Sequence, residues 1–363
     1  MHDLLADKRR LLALCALCPG HCTAACPVLA ATGNSALSPG AKIALLFQVI
    51  EGRRPLDEST ARALFACTGC GRCSEACPSH VPVRELLPQA RERCVDEGEA
   101  PRAIEKLKER MAQSQNPFGA DLSALGRALC DEREGRVYFP GCTALAREQG
   151  FVRGALDAAA GFNLRLTLAE ASACCCGHPL WAAGLRAEFT EHARAFAHRV
   201  ENLSELVVGD PACMVTFTRL YRSVGVDLKP RPVLLIQLLE ERLEHAFGRA
   251  PLSMRLTYHE ACKLKGELDC RDMPRRLLRA AVGDFHDPSP GENLCAGGGL
   301  ISWTHPQIAA DLTRAQARAM RHPGDCLVTA CPSAHHRFAR AGLRAIDLYS
   351  VLARWIAFRD EAR

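Results

Sequence analysis

Several features are missing from this 363-residue sequence, and each absence excludes a class of protein. No run of roughly 18 apolar residues occurs, which argues against a transmembrane helix. The charged N-terminus leads into a short apolar run without a small-residue cleavage site, so we do not expect a secretory signal. No glycine-rich dinucleotide fingerprint follows a strand-like run, so we expect any flavin or nicotinamide to belong to another polypeptide.

Long blocks of one charge are also missing. The net charge is +5, from 46 Lys and Arg against 41 Asp and Glu, and both signs are interspersed along the chain. This pattern predicts an ordinary solvated surface and argues against the basic stripe of a nucleic-acid-binding protein. The length suits two or three domains, each large enough to bury a core.

Cysteine, by contrast, is abundant, with 20 residues. Disulfide scaffolds belong to oxidising compartments, and without a secretory signal we expect a reducing one. Cysteines at short regular spacings then favour metal binding. The sequence therefore predicts a cytoplasmic metalloprotein, or one at the cytoplasmic face of a membrane that it reaches only through a partner.

Two cysteine runs lie near the N-terminus. The second, CTGCGRCSEACP, has the bacterial ferredoxin spacing C-x2-C-x2-C-x3-C-P, and the first, CALCPGHCTAACP, has one extra residue. In such runs three thiolates from one tight loop bind one 4Fe–4S cluster, and the fourth binds the other cluster. The predicted ligands are Cys15, Cys18, Cys22 and Cys77 for cluster 1, and Cys67, Cys70, Cys73 and Cys26 for cluster 2.

A pair of zinc knuckles is the alternative interpretation of these runs. Zinc takes four ligands, usually as two C-x-x-C pairs from separate loops, and two runs of four that end in Cys-Pro fit clusters better. The residues between and after the runs have helical spacing. This arrangement resembles the α-helical ferredoxin domain of iron–sulfur subunits of the succinate dehydrogenase and heterodisulfide reductase type, over roughly residues 10–98.

The sequence beyond this domain changes character. Strand-like runs such as RVYFPGC, ELVVGDPAC and CLVTACP alternate with helical stretches, which predicts parallel sheets of α/β type. The predicted order is an α-helical ferredoxin-type domain with two clusters (1–98), a helical linker (99–134) and a tandem pair of α/β units (135–250 and 251–363).

The tandem pair is predicted from a repeat of cysteines. Cys142 and Cys175 are 33 residues apart, as are Cys262 and Cys295, and the two halves are offset by 120 residues. In each half the second cysteine opens a corner that ends in glycine. A strand end and a glycine corner would bring thiols to the edge of the sheet, where parallel α/β sheets bind ligands.

This pattern resembles the cysteine-rich CCG domain, whose full form is a cysteine, then CCG, then C-x-x-C. It occurs in the B and D subunits of heterodisulfide reductase, and in the iron–sulfur subunits of glycolate oxidase, anaerobic glycerol-3-phosphate dehydrogenase and lactate-utilisation complexes. The resemblance implies electron exchange with a flavoprotein partner or with a thiol substrate. It also implies an unusual iron–sulfur cluster in some members.

Neither half has the full cysteine set. Asp210 replaces one cysteine of the first half, and Ala296 and Ala334 replace two of the second. The resemblance implies a third cluster site formed by Cys142, Cys175, Cys176, Cys213 and Asp210, with Cys174 outside the register. The matching set of the second half is reduced to Cys262, Cys295 and Cys331, a degenerate site.

Three functions stay open. The leading hypothesis is an iron–sulfur electron-transfer subunit that passes electrons between a flavoprotein dehydrogenase or reductase and a downstream acceptor. A catalytic subunit that acts on a thiol or disulfide, as heterodisulfide reductase does, is the alternative. A scaffold that binds zinc or a cluster without catalysis is the third.

Overall fold

A computed structural model of the chain combines helices with parallel sheets. It describes residues 8–130, 134–168, 170–246, 250–289, 292–293, 295–320, 322 and 325–358. The chain forms two compact units. The first contains residues 1–109, 179–189 and 294–318, and the second contains residues 110–178, 190–293 and 319–363.

Helices account for most of the regular structure. In the N-terminal half they are α1 (Arg9–Ala16), α2 (Pro27–Thr32), α3 (Pro39–Ile50), α4 (Glu58–Phe65), α5 (Arg72–Glu75), α6 (Val83–Asp96), α7 (Arg102–Ser114), α8 (Leu122–Leu129), α9 (Cys142–Arg147) and α10 (Gln149–Gly161). Those that follow are α11 (His178–Ala183), α12 (Arg186–Arg199), α13 (Pro211–Val215), α14 (Leu235–Glu240), α15 (Cys262–Gly266), α16 (Met273–Val282), α17 (Ile301–Thr304), α18 (Pro306–Ala319), α19 (Pro332–Arg340) and α20 (Leu348–Ala357).

The helices predicted around the two cysteine runs are confirmed, and capping side chains explain where two of them begin. Ser38 accepts from the Ala41 N–H at 3.2 Å at the start of α3. Asp57 accepts from the Thr60 N–H at 2.8 Å at the start of α4. A short polar side chain at this position satisfies a backbone donor that has no partner within the helix.

The strands form two parallel sheets, as predicted. They are β1 (Arg136–Phe139), β2 (Leu166–Thr167), β3 (Glu205–Val208), β4 (Arg231–Leu234), β5 (Leu256–His259), β6 (Cys326–Thr329) and β7 (Ala345–Asp347). One sheet has the order β2-β1-β3-β4 and the other β5-β6-β7. The predicted offset of about 120 residues holds in the register: Tyr138 pairs with Val207 and Tyr258 with Val328, which are offsets of 120 and 121 residues.

The cysteine repeat does not predict the edge strands β4 and β7, because neither strand ends in a cysteine. Each is short and follows a stretch without a cysteine motif. Both pair in parallel with the strand that ends at a predicted ligand loop, β4 with β3 and β7 with β6. Each sheet therefore brings its ligand-bearing strand to an interior position.

Two glycines of α10 allow α20 to approach closely within the second unit. A Cβ on Gly154 would lie 2.8 Å from the backbone nitrogen of Ser350, and one on Gly161 would lie 3.0 Å from the Cβ of Ile356. Because α10 belongs to the first sheet's segment and α20 to the second's, this contact joins the two repeats. No helix in the described ranges is long and apolar enough to span a lipid bilayer.

The compact units do not follow the linear domain order predicted above. Residues 179–189 and 294–318, which the repeat assigns to the two α/β units, group with the N-terminal helices. The predicted linker is helical in α7 and α8, and its last residues, 131–133, lie outside the described ranges. The domain boundaries drawn from the sequence stay a prediction.

Candidate iron–sulfur sites

The four cysteines predicted for cluster 1 are neighbours in the first unit. Cys15 lies in the last turn of α1, and Cys18 and Cys22 follow it, whereas Cys77 ends the other cysteine run. Burial raises the pKa of the Cys15 thiol to about 12. The neighbouring thiols that add to this rise are, in order of size, Cys22, Cys77 and Cys18.

The four cysteines predicted for cluster 2 line one cavity. Cys26, Cys67, Cys70 and Cys73 all border it, within the first unit. Burial is the largest cause that raises the pKa of Cys73, followed by the charges of Cys67 and Cys70. Cys26 and Cys77 thus each lie among cysteines of the run to which they do not belong.

Two buried cations lie near Cys67, and no sequence motif indicates them; one of them, Lys42, borders this cavity. Lys42 is 2% exposed and its ammonium group donates to the carbonyl of Leu37. Arg91 is 3% exposed and donates to the carbonyl of Leu64 at 3.1 Å. Burial lowers the pKa of both side chains, and the electrostatic effect of the nearby Cys67 opposes that shift.

A helical-spacing signal does exist for one of these cations. Lys42 lies on the buried face of α3 together with Pro39, Leu46 and Val49. A charged residue at an apolar position of an amphipathic helix is unusual, because a buried charge is costly unless it has a partner. The spacing of α3 therefore could have identified Lys42 as a candidate partner for a buried anion.

We expect Lys42→Met to lower the reduction potential of the cluster held by this set. Removing a buried positive charge makes the added electron less favourable, by on the order of 60 mV, which corresponds to about 1.4 kcal/mol. EPR-monitored redox titration measures the shift. The exposed Lys106, replaced by Met in the same way, is the control, and an equal shift in both variants would contradict this role for Lys42.

A short cysteine turn recurs at three predicted ligands. In each, a glycine two residues after the cysteine has a positive φ, and its N–H donates to the cysteine sulfur at 3.4 Å. The turns are Cys18-Pro19-Gly20, Cys67-Thr68-Gly69 and Cys175-Cys176-Gly177. Glycine adopts this left-handed conformation without steric cost, and an N–H that faces the sulfur stabilises its thiolate form.

The five residues predicted for the third site come together in the second unit. The sulfurs of Cys142 and Cys175 are 3.4 Å apart. Cys176 and Cys213 hydrogen-bond one another, and Asp210 lies beside Cys213. All five side chains are buried. A Cβ on Gly141 would lie 2.9 Å from the Cβ of Asp210, so the loop before Cys142 requires glycine.

These thiols share their protons unequally. Burial disfavours a Cys176 thiolate, but hydrogen bonds from Cys175 and Cys213 bring its pKa well below the ordinary value. The hydrogen bond with Cys142, and then the one with Cys176, raises the pKa of Cys175. Burial, and then the hydrogen bond with Cys176, raises the pKa of Cys213. Burial raises the pKa of the Asp210 carboxyl to about 7, and the Ala212 N–H, which donates to it at 2.8 Å, opposes that rise.

The backbone of the CCC corner is held by three groups that lie far from it in the sequence. The Cys175 N–H donates to the Gln115 carbonyl at 2.8 Å, so the predicted linker contributes to the site. Tyr221 donates to the Cys176 carbonyl at 3.0 Å. A ring nitrogen of His192 lies 2.6 Å from the Cys175 carbonyl. No motif signals these residues, because each is brought in by a separate element.

Lys263 brings the second half to this site. It follows Cys262 at the start of α15, which packs on α13, and it pairs with Glu267. Its positive charge opposes the rise that burial causes in the pKa of the Asp210 carboxyl. Burial, and then the charge of Lys263, lowers the pKa of His178 to about 4. Both half-repeats therefore contribute charge to one site in the second unit.

The predicted degenerate set is divided between the units. Cys262 and Cys331 belong to the second unit, at the starts of α15 and α19, and Cys295 belongs to the first. The strand end before Cys262 carries Glu260, which pairs with Arg275 at 2.8 Å. Arg275 also binds Asp287 through two bonds, at 2.7 and 3.0 Å. This strand end thus holds a charge network.

The histidines of the second half have partners other than cysteine. His259 lies 3.0 Å from the hydroxyl of Thr329 on the neighbouring strand. His335 and His336, in the first turn of α19, each place Nδ1 2.6 Å from a different carboxylate oxygen of Glu148. Despite burial, these two bonds lower the pKa of Glu148 to about 2. The interaction joins the two half-repeats within the second unit.

The residues of cluster 2 fit an iron–sulfur cluster. Four cysteine side chains border one cavity, N–H groups face ligand sulfurs, and a buried cation offsets negative charge. At the third site, iron between Cys142 and Cys175 requires their sulfurs to move apart from the present 3.4 Å. Within the described residues, no group of three or more His, Cys, Asp and Glu side chains is arranged to hold a metal ion as it stands.

Family models match both the N-terminal cysteine runs and the tandem α/β repeat. A model of the 4Fe-4S dicluster domain matches residues 12–81. A model of the cysteine-rich domain matches twice, at residues 136–218 and 256–338. The two cysteine-rich matches start 120 residues apart, the offset of the repeat.

Among curated proteins, the chain is similar to a subunit of the fumarate reductase (CoM/CoB) of Methanothermobacter marburgensis. They are 24% identical over 291 residues, which cover 77% of this chain and 58% of that protein. The glycolate oxidase iron-sulfur subunit of Escherichia coli is 24% identical over an alignment of 400 positions, covering 97% and 94%. Lactate utilization protein A of Oceanobacillus iheyensis is 25% identical over 155 residues, covering 40% and 63%.

The chain spans little more than half the length of the methanogen relatives that it matches. Over the matched length, the family models assign the same organisation as the cysteine runs and the parallel sheets do. The chain thus carries a 4Fe-4S dicluster domain followed by two cysteine-rich domains.

Proposed function

We propose that the protein is an electron-transfer subunit of an oxidoreductase complex. The observation that carries this proposal is that one cysteine of each run lies beside cysteines of the other run. Cys77 lies beside Cys15 and Cys22, and Cys26 lies beside Cys67 and Cys73. Two ligand sets that share cysteines in this way would hold two 4Fe–4S clusters next to each other, and adjacent clusters supply one-electron transfer.

An exposed apolar residue beside the first ligand set suggests where electrons enter or leave. Each set has two buried and two partly exposed cysteines, so the exposure of the thiols does not distinguish the sets. Leu17, between α1 and Cys18, is however 84% exposed. On this ground we assign the first set to exchange with the partner.

The third site extends this proposal. Cys142, Cys175, Cys176, Cys213 and Asp210 would hold a third iron–sulfur cluster, as the α/β unit that contains them is the more complete of the tandem pair. These residues supply negative charge through the Cys176 thiolate and limit solvent through burial. The matching set, Cys262, Cys295 and Cys331, stays a possible degenerate site.

The partner that we propose is a flavoprotein of the same complex. The relatives include a glycolate oxidase iron-sulfur subunit and a fumarate reductase subunit, whose names describe multi-subunit oxidoreductases. We place the complex in the cytoplasm, free or at the cytoplasmic face of a membrane, because cysteines at cluster spacing need a reducing compartment.

Anaerobic purification of the full chain, followed by titration with reduced methyl viologen under EPR, tests the proposal. We expect iron and sulfide for at least two 4Fe–4S clusters, and reduced spectra with spin coupling between neighbouring clusters. Reduced protein should pass electrons to free flavin mononucleotide, used in place of the flavoprotein. Zinc instead of iron, or two uncoupled signals, would contradict it.

A second assay separates electron transfer from disulfide catalysis. The isolated protein is supplied with reduced methyl viologen and glutathione disulfide as a probe of thiol–disulfide chemistry. Absence of turnover, with fast flavin reduction, supports an electron-transfer subunit. Turnover that depends on Cys175 and Cys176 would support the heterodisulfide reductase alternative.

A further inference from the structure

One turn of π-helix, Thr216–Leu220, follows α13 in the second unit. Within it, the Tyr221 N–H donates to the carbonyl of Thr216, five residues earlier, at 3.0 Å. Such turns are rare and occur mostly as single insertions in α-helices, often at functional sites. This one begins three residues after Cys213, a predicted ligand of the third site.

The matching helix of the second repeat, α19, has no such turn over its described residues Pro332–Arg340. α13 and α19 each begin with a proline, Pro211 and Pro332, and these prolines are 121 residues apart. α19 continues as a regular helix for nine residues, whereas α13 gives way to the π-helical turn after five. The half with the more complete thiol set is therefore the half that contains the turn.

The π-helical turn brings two side chains to Cys176. The hydroxyl oxygen of Thr216 lies 3.8 Å from the Cys176 sulfur, and Thr216 is completely buried. Tyr221, at the end of the turn, donates to the carbonyl of Cys176 at 3.0 Å. Without the inserted residue, Tyr221 would be rotated by about 100° around the helix axis relative to α13. A regular helix would therefore not direct both side chains to Cys176.

Aromatic packing holds the turn in place. The Phe217 ring stacks on that of Phe196, with 4.8 Å between their centroids, and meets the edge of Phe139 at 5.1 Å. The Tyr221 ring meets Phe217 at 5.5 Å. All four rings are buried. Close-packed rings restrict the movement of the segment that carries them, so Thr216 has a fixed position beside the sulfur.

We propose that Thr216 is a positioning residue of the third site, whose hydroxyl donates to the Cys176 sulfur and raises the reduction potential of the cluster there. The proposal rests on the third cluster of the proposed function. A thiolate that binds iron carries no proton, so the Cys176 sulfur can then only accept a hydrogen bond. The Thr216 hydroxyl is the side-chain donor that the π-helical turn places next to it.

The hydroxyl can turn to the sulfur at little cost. It now donates to the carbonyl of Ala212 at 2.8 Å, and the backbone N–H of Thr216 donates to the same carbonyl. Rotation of the hydroxyl hydrogen about the Cβ–Oγ1 bond therefore moves no heavy atom and leaves the Ala212 carbonyl with a partner. A hydrogen bond to a ligand sulfur favours the reduced cluster, because reduction adds negative charge to the iron and its ligands.

Redox titration of the full chain, followed by EPR of the third site, tests this proposal. Thr216→Val removes the hydroxyl and keeps the branched shape of the side chain. We expect the equilibrium constant for one-electron reduction to fall about tenfold, which corresponds to about 59 mV. Thr216→Ser retains the hydroxyl and should have the potential of the unchanged chain.

Thr218→Val is the matched control. Thr218 belongs to the same π-helical turn, and within the described residues its hydroxyl bonds only to the carbonyl of Met214, at 2.7 Å. This variant loses the same kind of bond to a carbonyl four residues earlier, without a loss at the Cys176 sulfur. We expect its third-site potential to equal that of the unchanged chain.

Iron content and the spectra of the two N-terminal clusters report whether each variant has folded. Equal third-site potentials in Thr216→Val and Thr218→Val would overturn the role of Thr216 and leave the third cluster standing. A Thr216→Ser potential equal to that of Thr216→Val would do the same, as would loss of third-site iron in Thr216→Val, since the hydroxyl would then be needed to hold the cluster. An unchanged chain with only about eight irons would overturn the third cluster itself, and this role with it.

Discussion

Cys175→Ala should remove the iron of the third site and leave the iron of the two N-terminal clusters in place. The Cys175 sulfur contacts that of Cys142, hydrogen-bonds with Cys176, and accepts from the Gly177 N–H. Its loss therefore removes a ligand from the middle of the set. We expect the iron content to fall to about eight atoms per chain, the content of two 4Fe–4S clusters.

Cys174→Ala is the matched control for this prediction. Cys174 is equally buried and adjacent in sequence, yet it lies outside the register of the repeat. We expect this variant to keep the full iron content and the EPR spectrum of the third site. If Cys174→Ala and Cys175→Ala lose the same iron, or if neither loses any, the predicted third site is wrong.

The second large effect concerns the one ligand that each cysteine run supplies to the cluster of the other run. Cys26→Ala should abolish the EPR signal of cluster 2, whose other ligands are in the second run, and should preserve cluster 1. Cys77→Ala should do the reverse, because the neighbours of Cys77 are Cys15 and Cys22. Each variant should lose the iron of one 4Fe–4S cluster, and the remaining signal should lose its spin coupling.

A comparison of EPR spectra with variants of other cysteines in the two runs decides this prediction. Cys26→Ala should resemble Cys73→Ala in its spectrum, and Cys77→Ala should resemble Cys22→Ala. If Cys26→Ala resembles Cys22→Ala instead, each run holds its own cluster. The clusters would then use four ligands from one loop, and the proposed adjacency would lose its main support.

Much of this arrangement could be predicted from local sequence. Cys-Pro endings and three-residue spacings identify ligand loops, because short loops limit which thiols can reach one cluster. Helix boundaries near Ser38 and Asp57 were predictable from capping side chains, since a cap is a local interaction. The strands were predictable where they end in a cysteine motif, and the two edge strands without such a motif were not.

The surroundings of the cysteines could not be predicted in the same way. Arg91 is an ordinary helix residue in the sequence, and only packing shows that it is buried beside Cys67. For Lys42, helical spacing indicates burial, but only packing shows that Cys67 is its neighbour. Gln115 is 60 residues from Cys175 and yet accepts from its N–H. Such contacts depend on how separate elements pack, and residue type at one position carries little signal of them.

The sequence alone determined which cysteines form turns, how the repeat is spaced and which thiols each repeat has lost, because these properties depend on residue identity and local spacing. Tertiary structure decided which thiols become neighbours. The 120-residue repeat gives Cys175 and Cys295 equivalent positions, yet Cys175 belongs to the second unit and Cys295 to the first. The physical reason is that burial of Ile301, Ala309 and Leu312 against Cys26 and Val28 draws the second corner into the first unit.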